Sequence, residues 1–196
     1  MIQILVKKPL ILLTTSRRPT KDMRTFCKDL SYAFQNIVRI NRGKLSLEGI
    51  AEKALELDAE KVMIIDRWKG GSGKMQLFKI SEKGLDAVSP IIYLGGIKLR
   101  RDFMENTTRG RRIKSIAITV SPKPLLETKK FGNALSDFFI VPILSPEEAV
   151  DKNYDAAMQI STDPSNHIIV TFKLIPELVE VGPQIRISHL IWELTR

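Results

Sequence analysis

A shift of 105 residues lays one half of this 196-residue chain on the other. Ser16 then meets Ser121, Pro19 meets Pro124 and Phe26 meets Phe131; Leu30, Ser31 and Phe34 meet Leu135, Ser136 and Phe139. The matches fall in the same setting twice: a short apolar run, a proline turn, then apolar residues at helical spacing. A period this long is not that of a stacked solenoid, so the expectation is two related halves. Each is small enough that burying its surface alone is difficult, which favours packing into one unit.

Local patterns fill in the halves. Leu10 to Thr15 reads as a buried strand. Pro19 ends it, Thr20 can cap a helix, and Met23, Phe26, Cys27, Leu30 and Phe34 make that helix's apolar face. Ile37 to Ile40 reads as a strand, Ser46 as the cap of a second helix, and Lys61 to Trp68 as a third strand. After a turn at residues 69–74 come strands at Met75 to Ile80 and Ile91 to Leu99. In the second half, strands are expected at Ile113 to Val120, Val141 to Leu144, His167 to Leu174 and Gln184 to Trp192. A helix carries Leu126 to Phe139. Another opens at Ser145-Pro146-Glu147-Glu148, a strong capping signature, and is expected to run to about Gln159. The fold class is therefore α/β, as two duplicated β-α-β-α-β-β halves, 1–105 and 106–196.

Charge separates the halves. The net charge is +9, made of +12 in residues 1–114 and −3 in residues 115–196. A basic part beside a mildly acidic one suits a polyanion docking mainly on one side; simple solubility is the alternative. Arg17, Arg18, Lys21 and Arg24 surround the first proline turn, where a helix N-terminus offers free N–H groups. Arg39, Arg42 and Lys44 surround Gly43. Arg100, Arg101, Arg111 and Arg112 belong to a basic run at 98–114. These residue types grip phosphate, and arginine does so with two parallel bonds; solvated turns are the competing reading. Trp68, between Arg67 and Lys69, either stacks on a base or packs its own hairpin. Tyr32 and Tyr93 read as buried.

Other chemistry finds little footing. Cys27 is the single cysteine, so an internal disulfide is excluded, and its apolar setting reads as a buried thiol. Gly70-Gly71-Ser72-Gly73-Lys74 lacks the spacing, the following Ser or Thr and the helix of a phosphate-binding loop. His167 and His189 have no ligand cluster around them in the sequence, and Asp22 and Asp66 are isolated carboxylates. No enzyme activity, cofactor, metal or small-molecule substrate is expected. No apolar run reaches the roughly 18 residues of a membrane span. Met1 to Lys8 puts apolar residues before lysines, the reverse of a signal peptide, so a soluble cytoplasmic protein is expected.

Three segments in order, Thr15-Ser16-Arg17-Arg18-Pro19-Thr20, Asn41-Arg42-Gly43 and Glu180-Val181-Gly182-Pro183, resemble the Brix-domain family of ribosome-biogenesis proteins. The chain is most similar to the Imp-type branch in its compact archaeal form, without the long charged tails of eukaryotic members. The resemblance implies halves like the anticodon-binding domain of class II aminoacyl-tRNA synthetases. It also implies a ribosomal RNA precursor as partner, other assembly proteins beside it, and help with RNA pairing and ribosome assembly without bond chemistry. Two rivals remain at this point: a protein-interaction scaffold using the less basic half, and an RNA-processing enzyme.

Overall fold

The computed structural model describes residues 10–103 and 113–194. Arg111, Arg112 and the expected boundary after residue 105 lie outside the described residues. Strand β1 (Leu10–Thr15) is buried along almost its whole length, as a strand covered on both faces must be. It pairs in parallel with β2 (Ile37–Arg39) on one side and β3 (Ala59–Asp66) on the other. Helix α1 (Lys21–Ala33) joins β1 to β2, and α2 (Leu47–Glu56) joins β2 to β3. Strands β4 (Gly73–Ser81) and β5 (Gly84–Lys98) continue antiparallel, and a single 3₁₀ turn follows at Arg100–Asp102.

The second half repeats the plan. Strand β6 (Ile116–Val120) leads to α3 (Leu126–Phe139) and α4 (Pro146–Asp151), then to β7 (Ala156–Thr162), β8 (Ile168–Leu174) and β9 (Gln184–Ile191). β6 and β7 are parallel; β8 and β9 add antiparallel. Because β5 pairs with β9, all nine strands form one sheet in the order β2-β1-β3-β4-β5-β9-β8-β7-β6. Matching backbone bonds recur at the ends of the parallel strands. The Ser16 N–H donates to Ile65 and the Ser121 N–H to Ile160; the Ile40 N–H donates to Leu13 and the Leu144 N–H to Ile118.

One core cluster runs through both halves under α1 and α3, from Ile11, Phe26 and Leu30 to Phe131, Leu135 and Phe172. At its centre Phe34 and Phe139, partners in the 105-residue shift, stack with centroids 4.3 Å apart. On the opposite face α2 covers Leu12, Val62, Ile64 and Phe78, while α4 covers Ala117 and Ala157. Among the described residues no helix is long and apolar enough to cross a membrane.

Several expectations need correction. The first half is β-α-β-α-β-β-β and the second β-α-α-β-β-β, not two copies of β-α-β-α-β-β, and β5 begins at Gly84 instead of Ile91. The second half's second strand, expected at Val141 to Leu144, shrinks to one bridge between Ile118 and Ile143. Helix α4 does not reach Gln159. It stops at Asp151, Asn153 turns the chain at φ 55°, and residues 156–162 enter the sheet as β7 between β6 and β8. Tyr32 and Tyr93 are half-buried.

Candidate nucleic-acid interface

β1 and β3 end together at Thr15 and Asp66, and the loop after β2 folds back beside them. Between these ends and the start of α1 lies a cavity of about 240 Å³. Arg17, Arg24, Arg39 and Arg42 line it, with Ser16, Asn41 and an inner wall that includes Cys27 and Ile40. The proline turn delivers this geometry. Pro19 stops the strand, and the Thr20 hydroxyl then accepts the Met23 N–H at 3.2 Å, fixing the N-terminus of α1 beside the cavity. Gly43, at φ +54°, lets the following loop turn back.

The four arginines are not equivalent. The Arg42 side chain is only 11% exposed. It donates to the Leu45 carbonyl at 3.2 Å and the Thr15 carbonyl at 3.5 Å, and it stands 4.0 Å from Asp66. Arg42 therefore braces the cavity wall. Arg17 is exposed and makes one long bond, 3.5 Å, to Leu45. Arg24 and Arg39 are exposed, and within the described residues no hydrogen bond or ion pair engages either side chain. Cys27 faces this basic wall yet is wholly buried. Desolvation pushes its thiol up to about 12 against a smaller opposing pull from Arg39, which disfavours the thiolate.

Arg18, Lys21 and Lys44 are exposed around the same corner without lining the cavity. Arg100 and Arg101 come to α1. Arg101 pairs with Asp22 at 2.7 Å, and the Arg100 guanidinium lies 3.6 Å from the Tyr32 ring centroid. The Arg100 N–H donates to the buried Asp29 carboxylate at 2.9 Å. Gly182, at φ +61°, sits so close to this segment that a Cβ there would lie 2.7 Å from the Phe103 ring. The third motif thus packs against Arg100 and Phe103, while the first two build the cavity.

Trp68 stands apart from that cavity. Its ring is edge-on to Tyr93 at 5.0 Å and to His189 at 5.4 Å, and the Gly70-Gly71 backbone presses against it. This is hairpin packing, with Arg67 exposed beside it. Tyr93 and His189 stack at 4.2 Å, a cross-strand pair that the spacing of the sequence gave no sign of. His167 does have neighbours: Asp163 at 3.5 Å and Arg186 at 2.9 Å. Among the described residues no group of three or more His, Cys, Asp or Glu side chains is placed to hold a metal ion.

No family model matches the chain. Curated relatives do. A probable Brix domain-containing ribosomal biogenesis protein from Sulfurisphaera tokodaii is 30% identical over 122 residues, covering 59% of this chain and 69% of the relative. One of the same description from Pyrococcus abyssi is 27% identical over 192 residues, covering 94% and 85%. Among solved structures, a probable ribosomal biogenesis protein from Aeropyrum pernix superposes with TM-score 0.74 at 23% identity, covering 93% of this chain and 99% of that one. Mil, an archaeal Imp4-like protein, gives TM-score 0.62 at 21% identity over the same shares. The two structures share this fold.

Proposed function

The chain belongs to the Brix-domain family of ribosomal biogenesis proteins, and we propose that it serves there as an RNA-binding assembly factor. It holds pre-ribosomal RNA by the backbone and assists rRNA processing and subunit assembly without bond chemistry, in the cytoplasm and beside other assembly proteins. The observation that carries this reading is the convergence of Arg17, Arg24 and Arg39 on one cavity beside a helix N-terminus, with Arg42 as its brace. Arg18, Lys21 and Lys44 extend the positive surface around it, and Arg100 and Arg101 continue it along α1. Arg67, Arg111 and Arg112 belong to the same proposed contact set, and Trp68 serves it by holding the neighbouring hairpin.

The halves, divided near residue 105, are read as a duplication of one unit of the anticodon-binding type. The repeated strand-end bonds and the stacking of Phe34 on Phe139 support descent from one repeated segment. Function has then diverged between the copies. Where the first turn has Thr20 and Lys21, the second has Leu125 and Leu126, 48% and 84% exposed. Those exposed leucines favour a second reading, in which the less basic half receives a protein partner. Crosslinking the protein to RNA in cells and sequencing the attached fragments tests the main reading. Enrichment of pre-rRNA segments is expected; crosslinks no richer in pre-rRNA than in bulk RNA would contradict it.

A further inference from the structure

The two central strands carry an aromatic cluster that the arginine cavity does not use. Ile92, Leu94, Ile185 and Ile187 turn into the core under α1 and α3, so Tyr93 on β5 belongs to the other face of the sheet. A register shift beside Leu94 brings His189 on β9 directly opposite Tyr93. On this face α2 covers β1 and β3, and α4 covers β6 and β7. Between them Tyr93 is half-buried and His189 is exposed.

The ring geometry leaves one surface open. Tyr93 and His189 stack at 4.2 Å with 13° between their planes. Trp68 stands 5.0 Å from the first and 5.4 Å from the second, at 74° to each, so it lies along the edges of the stack and caps neither end. The Ser188 hydroxyl, 3.2 Å from Nδ1 of His189, holds the imidazole's rotation. Trp68 is held in turn by its glycine-rich loop: an added Cβ at Gly70 or Gly71 would meet its ring, and the Ser72 N–H donates to the Leu94 carbonyl at 2.9 Å. Among the described residues no further ring stacks on the face of His189 turned away from Tyr93. The setting is basic. Lys74 is paired with Tyr93 across the strands, Arg186 shares the face, and exposed Arg67 and Lys69 flank Trp68. Of the neighbouring carboxylates, Asp66 stands beside Arg42 and Asp163 bonds to Arg186.

A cross-strand pair stabilises a sheet wherever it stands. This one adds an open ring face, already held in place, among cations. Every base has a π-face, so stacking suits RNA of any sequence, and histidine is among the side chains that unpaired bases stack on. A ring that is already held costs little to order on binding. We propose that the open face of His189 takes one unpaired RNA base, with the phosphates on either side drawn to the surrounding lysines and arginines. The inference rests on the RNA-binding reading and adds to its backbone grip a contact with a base.

The probes are a single-stranded RNA and an abasic ribose-phosphate oligomer of the same length, titrated on the whole chain with circular dichroism as the folding control. His189→Ala should bind the RNA at least about fivefold more weakly, the low end for one base–aromatic stack. The slope of its log affinity against log salt should match that of the wild type, since no phosphate contact is removed. The abasic oligomer should bind His189→Ala and the wild type alike, because it offers no base. His189→Phe keeps an aromatic face and should retain most of the wild-type affinity for RNA. Unchanged RNA affinity in His189→Ala would overturn the inference and leave the RNA-binding reading standing. So would equal losses on RNA and abasic oligomer, which belong to charge or folding, or a loss in His189→Phe as large as in His189→Ala. Failure of the wild-type chain to bind the single-stranded RNA would overturn both.

Discussion

Arg42 and Arg17 come from motifs of similar make-up and serve different ends. Arg42 is held by two carbonyls and Asp66, so its charge is largely spent inside the protein. Arg17, exposed like Arg18, makes only one long bond, to the Leu45 carbonyl. The sequence showed that arginines cluster here, because they flank turn residues. It did not show which one is the brace, because Thr15 and Asp66 are distant along the chain. Cys27 offers a direct check of the buried wall. With its thiol near 12, the thiolate fraction at pH 8 is on the order of 10⁻⁴, so iodoacetamide should label the native protein far more slowly than the denatured one; similar rates would contradict the burial. Asp29 offers a pH test. Burial raises its pKa, outweighing the Arg100 N–H that opposes the rise. As pH climbs from about 3.8, the unfolded chain ionises this group before the folded one, so its contribution to stability falls. Asp29→Asn keeps an oxygen for that N–H. The variant's Tm relative to wild type should therefore move upward between pH 3 and pH 6, and a downward trend would contradict the desolvation.

Elements were legible where the signal was local. Thr20, Ser46 and Ser145 each cap the helix expected of them. β7 was not legible, since Ala156, Ala157 and Met158 suit a helix in isolation and become a strand only by pairing with β6 and β8. The propensity of a short segment yields there to tertiary pairing. The third motif was legible as a pattern and silent as to purpose. Its glycine matters because Phe103 and Arg100 press on it: at φ +61°, and with an added Cβ falling 2.7 Å from Phe103, Gly182 has no room for a methyl group. Gly182→Ala should lower stability by more than about 1 kcal/mol in chemical denaturation, from backbone strain and displacement of Phe103. A variant of unchanged stability would show that the contact is loose.

At the scale of the molecule, the two halves share one sheet and one core, joined where β5 pairs with β9 and Phe34 meets Phe139. Phe26 and Leu30, and Phe131 and Leu135 that match them in the shift, lie on the buried faces of α1 and α3, where packing constrains residues most. A chain ending near residue 105 leaves Phe34 and the edge of β5 uncovered. It should unfold at much lower denaturant than the whole protein, and a cooperative transition at the same midpoint would contradict the shared core. RNA is proposed to be held by charge at the first turn. The direct measurement is a titration of single-stranded RNA across a range of salt, on the wild type, on Arg17→Ala/Arg18→Ala and on Lys123→Ala, with circular dichroism as the folding control. If about five to eight phosphates are neutralised, log affinity should fall against log salt with a slope of about −3.5 to −7. The arginine double variant should bind clearly more weakly with a shallower slope across different RNA sequences, and Lys123→Ala should change little. A slope near zero, or losses as large for Lys123→Ala as for the arginine pair, would contradict it.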